Sequence, residues 1–360
     1  MHRRRRTFRS FALRLTRLFS PAACWSLALL APGALSAETT PLAHVETVGE
    51  GQTQLILIPG WMCDWSVWDE FMQRNADRYT MRAVTLPGFV GADPPEDDEL
   101  NKDDCHAETP WLNNAVAAVA ELIEAENIQE PVVIGHSLGG QIAMRLAIER
   151  PELVGKVVTV DGMPAVPLKY ETGVDKRTDR VELVKNAYEP WFRAMSAEDW
   201  TAKFDRAVDN LVETAPHRAQ LHRMFNDTER EPSVRYLVEA LKTDITPEIE
   251  EIRAPLLAIA AIEDCPRAPA DFDESICAVW HEQLAQAPDA QIVFFQRAKH
   301  FFFLTQTVAF DNAINRFIEG KPVESHNVDH ERFAGRAGSH HSDRTVRPDK
   351  TARPAKECKH

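Results

Sequence analysis

From residue 44 onward, short apolar runs alternate with amphipathic stretches. Leu55-Ile56-Leu57-Ile58 and Val132-Val133-Ile134 are continuously apolar, the pattern of strands covered on both faces. Strands are predicted over residues 54–59, 79–86, 131–135, 156–161, 255–261 and 291–296, with 44–48 as an edge strand. Helices fall between them. Thr109-Pro110 reads as an N-cap followed by proline at the first helical position, opening a helix that runs to about Asn127. A second helix follows Ser137 and ends before Pro151, since the residue ahead of proline disfavours the α region. Two more are predicted over 274–286 and 303–319. This alternation predicts an α/β class with a mostly parallel central sheet flanked by helices.

Two stretches break the pattern. Residues 164–246 are charged, helical in period and rich in Trp, Phe and Met, with no strand text. They predict a helical cap inserted into a core made of residues 38–163 and 247–320. Its Trp191, Phe192, Met195, Trp200, Phe204, Met224 and Phe225 are candidates either for the roof of an apolar pocket or for packing between helices. After Gly320 the large apolar residues thin out. Residues 321–360, with His326, His330, His340, His341 and His360 scattered among Arg, Asp, Ser and Pro, predict a disordered tail. Those histidines lack the tight spacing of a metal site, and no metal is expected.

The first 37 residues hold seven Arg and no acid or Lys. Arg3 to Arg6 and Arg9 form a positive leader, Ala22 to Ala31 an apolar stretch, and Ala34-Leu35-Ser36-Ala37 a small-residue cleavage text before Glu38. Residues 1–37 therefore predict an export signal and a periplasmic or secreted protein, the alternative being an uncleaved anchor. The segment Arg5-Arg6-Thr7-Phe8 also resembles part of a twin-arginine signal. After Ala37 no apolar run reaches the roughly 20 residues needed to span a bilayer. The whole chain of 360 residues carries a formal −14; without the seven leader arginines the remainder carries −21. So acidic a body repels phosphate backbones and excludes nucleic acid as an expected partner. Five of the six Cys follow the leader, and export permits disulfides. Cys265 and Cys277 are the first candidate pair, closing a short loop worth about 3 kcal/mol. Cys63 with Cys105 is the second, which leaves Cys358 over.

The chemistry concentrates at Gly135-His136-Ser137-Leu138-Gly139-Gly140, between a predicted strand and a predicted helix. A serine on so sharp a turn projects its hydroxyl above the sheet. Glycine at 135 and 139 avoids collision with the neighbouring strand and helix. The helix N-terminus behind the serine offers amides and a positive dipole to a developing oxyanion. By chance such a five-residue match arises about 0.02 times in a chain with this composition. Ser137 needs a base, and His300 follows the last predicted strand in Ala298-Lys299-His300-Phe301-Phe302. His136 is assigned to packing. The acid expected to hold the imidazole is Asp264, after the strand over 255–261; Asp161, at the end of the strand over 156–161, is the alternative. The amides of Trp61 and Leu138 are the candidate oxyanion donors, Gly60 permitting the close approach, and Trp61 and Met62 are candidate substrate contacts.

Together these residues resemble the α/β-hydrolase family in its cap-bearing, esterase-like branch, over residues 55–320. Leu86-Pro87-Gly88-Phe89-Val90-Gly91 looks like the turn after the family's second long strand, without its usual Asp; Pro59 stands where a His is common. The resemblance implies a Ser-acid-His order, no cofactor, and hydrolysis of a small to medium carboxylic ester through an acyl-enzyme. Carbon–carbon bond hydrolysis or perhydrolysis by the same triad, and a slow or non-enzymatic ligand-binding member of the fold, are the alternatives.

Overall fold

A computed structural model describes residues 41–95, 106–168, 177–262 and 276–326. Seven strands form one sheet: β1 (His44–Val48), β2 (Thr53–Ile58), β3 (Tyr79–Thr85), β4 (Val132–His136), β5 (Lys156–Val160), β6 (Leu256–Ile262) and β7 (Ala290–Gln296). Their order is β1-β3-β2-β4-β5-β6-β7, with β1 antiparallel to β3 and the other pairs parallel. Leu55 through Ile58 and Val132 through Ile134 are buried, as strands covered on both faces require. Helices α1 (Asp69–Asn75), α2 (Pro110–Ala125) and α3 (Leu138–Glu149) lie in the first half of the chain. Near the end come α9 (Ile276–Gln283) and α10 (Thr307–Ile318). No helix among the described residues is long and apolar enough to cross a membrane.

Between β5 and β6 the chain runs through α4 (Arg177–Leu183), a π-helical turn (Val184–Tyr188), α5 (Glu189–Ala194), α6 (Ala197–Leu211), α7 (Ala215–Asp227) and α8 (Arg230–Lys242). This insertion has its own apolar cluster of Leu168, Val184, Phe192, Trp200, Val234, Val238 and Leu241, with Trp61 of the core packed against it. It is also fastened by one carboxylate. Glu239, on α8 and almost wholly buried, accepts from the backbone N–H of Trp111 and Leu112 with the same oxygen, at 2.9 and 3.0 Å. Its other oxygen takes the guanidinium Nε of Arg235 at 2.7 Å. The exposed first-turn amides of α2 and the positive end of that helix thus find an acceptor 127 to 128 residues away.

That cap is not the one the sequence predicts. Thr109 precedes α2, with Pro110 at its first position, but the Thr109 hydroxyl turns back to the carbonyl of His106. The β2–β3 crossover contains a 3-10 turn (Trp65–Trp68) leading into α1. Two other expectations shift. The helix expected over 303–319 divides into a 3-10 turn (Phe302–Leu304) and α10, with Phe302 and Phe303 buried in the main core. Residues 321–326, expected to belong to the tail, run along β7, where the Gln296 N–H donates to the His326 carbonyl at 3.0 Å.

One of the two expected cysteine pairs does not form. Cys63 is a free thiol, which removes the Cys63–Cys105 pair; it lies in the apolar core behind β2, and burial pushes its pKa upward. Cys277 is disulfide-bonded, and Cys265, its expected partner, lies outside the described residues, as does Cys105.

Glu239→Ala is expected to lower the free energy of unfolding by roughly 3 kcal/mol in urea titration, because it strips an acceptor from two amides and a partner from Arg235. A midpoint equal to that of the unaltered protein would contradict the fastening role. Cys63 is expected to resist iodoacetamide in the folded protein and to react once denaturant unfolds it.

Candidate active site

Four parallel strands end at one edge of the sheet, and strained backbone gathers there. Met62 after β2, Ser137 after β4, Asp161 after β5 and Arg297 after β7 all have positive φ, between 49° and 59°. Each such non-glycine residue costs on the order of 1–3 kcal/mol and persists only where its surroundings impose it. Ser137 has φ 53° and ψ −116°. Its N–H donates to the Val160 carbonyl at 2.9 Å, and its own carbonyl accepts from Gly140 at 2.9 Å and Gln141 at 3.3 Å. The amides of Leu138 and Gly139 open α3 and so have no carbonyl one turn earlier in that helix.

The glycines around it are dictated by close approach. A Cβ on Gly135 would overlap the Gly139 carbonyl. One on Gly139 would lie 2.5 Å from the Ile58 carbonyl oxygen and 2.6 Å from that of Pro59. On the far side, a Cβ on Gly162 would stand 2.5 Å from the Ser137 carbonyl oxygen. The turn is therefore wedged between β2 and β5, and no larger residue fits at those positions.

His300 follows β7, and its Nδ1 stands 2.6 Å from Asp161 Oδ2. The other carboxylate oxygen of Asp161 accepts the Ala261 N–H of β6 at 3.0 Å, so Asp161 reaches across the end of β6 to the loop after β7. With Nδ1–H donated to Asp161, the remaining ring nitrogen, Nε2, is left as an acceptor. His136, the last residue of β4, ties this loop to the Ser137 turn. It is fully buried, its Nε2 lies 3.0 Å from the His300 carbonyl oxygen, and the two rings are 4.5 Å apart. Burial, reinforced by the nearby His300, holds its pKa well below the ordinary histidine value.

On the other side of Ser137 runs Pro59-Gly60-Trp61-Met62. It closes as a tight turn, with the Cys63 N–H donating to the Gly60 carbonyl at 3.1 Å. A Cβ on Gly60 would lie 3.4 Å from Ser137 Cβ, so this backbone passes close beside the serine. The Trp61 indole leaves the core: its Nε1–H donates to the Ser233 carbonyl on α8 at 2.8 Å. Its ring packs edge-on to Phe204, Phe225 and Trp200, with centroids 4.8, 6.0 and 6.2 Å away. Met62 is buried in the main core.

The structure thus brings Ser137, Leu138, Trp61, His300 and Asp161 to one edge of the sheet. Asp264 lies outside the described residues. Asp161 was the sequence's alternative acid, and its signal is its place directly after β5, at the same edge as Ser137. His136, read from the sequence as packing, contacts the His300 backbone and the Gly60 backbone, a role without a sequence signature.

Comparison with known proteins agrees with this architecture. The family model described as the alpha/beta hydrolase family matches residues 55–313. A pimeloyl-[acyl-carrier protein] methyl ester esterase of Nitrosomonas europaea is 26% identical over 271 residues, covering 73% of this chain and 94% of that protein. The solved structure of MenH from S. aureus aligns with a TM-score of 0.60 at 15% identity, covering 78% of this chain and 99% of that one. An esterase from Exiguobacterium antarcticum aligns with a TM-score of 0.58, also at 15% identity, over 77% of this chain and 95% of its own. These two structural likenesses speak to fold, while the family match covers most of the chain and both ends of the site. The chain belongs to the alpha/beta hydrolase family.

Proposed function

We propose that the protein is a serine hydrolase that cleaves a small to medium carboxylic ester through an acyl-enzyme, with Ser137 as nucleophile, His300 as base and Asp161 as the acid that orients it. The observation that carries this reading is the 2.6 Å contact of Asp161 with His300 Nδ1, on the same edge of the sheet as the strained Ser137 turn. That contact assigns the tautomer: Nδ1 keeps its proton for Asp161 and Nε2 is free to accept one from the Ser137 hydroxyl. The serine oxygen then attacks the ester carbonyl. The amides of Trp61 and Leu138 stabilise the charge that develops on the carbonyl oxygen, each worth about 3–4 kcal/mol in the transition state. His300 returns the proton to the leaving alcohol, and water repeats the sequence on the acyl-enzyme. The helical insertion acts as a cap, with the aromatic rings around Trp61 as the apolar wall against the acyl group. A relative named as a methyl ester esterase supports the ester class.

Export is part of the same reading. Residues 1–37 act as a signal, and the disulfide of Cys277 suits an oxidising compartment. N-terminal sequencing of the protein recovered from the cell envelope or medium is expected to begin at Glu38; a retained leader would contradict cleavage at that point.

Ser137→Ala is expected to abolish hydrolysis of p-nitrophenyl esters and labelling by a fluorophosphonate. Unchanged labelling of that variant would show that another residue is the nucleophile. Asp161→Asn is expected to lower kcat by about 10³–10⁴-fold, by presenting the wrong tautomer of His300, while Asp264→Asn stays within a few-fold of the unaltered enzyme. The reverse order of those two losses would move the acid to Asp264.

A further inference from the structure

We propose that His136 is a positioning residue for the reaction: its buried ring holds the backbone of His300 through one nitrogen and abuts Gly60 of the oxyanion loop through the other, setting two loops against the nucleophile. This rests on the reading of Ser137 and His300 as the reacting pair.

The geometry fixes the tautomer of His136. A carbonyl oxygen only accepts, so the 3.0 Å contact with the His300 carbonyl places the proton on Nε2. Nδ1 is buried and has no hydrogen-bond partner, so it keeps a bare lone pair and the ring is neutral. Its position is equally informative. A Cβ on Gly60 would lie 2.7 Å from this nitrogen and 3.2 Å from the adjoining Cε1. The ring therefore occupies the volume that a side chain at position 60 would take, directly beneath the backbone that leads to the Trp61 amide. Phe301 and Phe303 close two further sides, at 4.5 and 5.0 Å between centroids.

A phenyl ring would fill this volume without burying an unpaired nitrogen. What the imidazole supplies and a phenyl cannot is the Nε2–H bond to His300. That bond matters because Asp161 holds the His300 ring, at Nδ1, and not its backbone. A ring held at Nδ1 alone can still swing with its backbone; anchoring the His300 carbonyl to the residue next to Ser137 removes that freedom. Small displacements of a catalytic group cost heavily in rate, with about 1 Å worth up to 10²-fold.

The test compares His136→Phe, which keeps the ring volume and loses the bond, with His136→Gln, whose side-chain amide can reach the same carbonyl. For hydrolysis of a p-nitrophenyl ester, the Phe variant is expected to lose about 10- to 100-fold in kcat with KM within about 3-fold. The Gln variant is expected to recover most of the loss, and urea midpoints are expected not to follow the order of the rates. A Phe variant with the unaltered kcat, or a Gln variant as slow as Phe, would overturn the positioning role. If the Phe variant fails to fold, nitrogen-15 NMR of the unaltered protein decides instead. A ring N–H at His136 Nε2 protected from solvent exchange, with an unprotonated Nδ1 persisting below pH 6, supports the proposal; a freely exchanging or doubly protonated ring overturns it. Failure of a fluorophosphonate to label the unaltered protein at Ser137 would instead refute the esterase reading, and the positioning role with it.

Discussion

Asp161 and His300 meet across the end of β6, and most of what is distinctive in this site follows from that reach. The carboxylate belongs to the loop after β5 and the imidazole to the loop after β7, so neither finds the other through local sequence. Their encounter depends on the register of three parallel strands. The Val160↔Ile259 pairing of β5 with β6, and the seven-residue pairing of β6 with β7, bring the ends of those strands level. A slip of one residue would turn every side chain to the opposite face and separate the pair. The continuous apolar text of the central strands, buried on both faces, sets that register.

The same edge stores backbone strain. Ser137 and Asp161 both take positive φ, and the 137 turn is wedged by carbonyls of β2 on one side and by the 159–162 segment on the other. Strain of this size is stable only because the sheet below it is tightly packed, and it leaves the serine on a turn where regular secondary structure cannot bury it. The insertion is tied to the core at two points. Trp61 hydrogen-bonds Ser233 and packs edge-on against three rings of α6 and α7, while Glu239 fastens α8 to the start of α2. The segment proposed to recognise substrate is thereby tied both to the loop after β2 and to the scaffold.

Much of this was legible in the sequence, for physical reasons that can be named. All seven strands fall within a residue or two of their predicted ends; in the central β2 and β4, burial forces continuous apolar runs bounded by turn residues. The Ser137 turn was legible because its glycines are irreplaceable, as the collisions at Gly135 and Gly139 make plain. What stayed hidden depends on contacts distant in sequence. The cap of α2 comes from Glu239 and not from the adjacent Thr109. His136 looked like a packing residue because nothing in its neighbours announces a bond to a carbonyl 164 positions later. The carboxylate beside His300 was the hardest to read: two strand ends each offered an Asp, and the contact of Asp161 with the imidazole is made by the fold, while Asp264 lies outside the described residues.

The most direct measurement is a crystal structure of the protein after reaction with a fluorophosphonate. The account predicts phosphorus bonded to Ser137 Oγ, its oxygen facing the Trp61 and Leu138 amides, and the His300 ring held by Asp161. Phosphorus on another side chain, or a His300 ring held by Asp264 with Asp161 turned away, would contradict it.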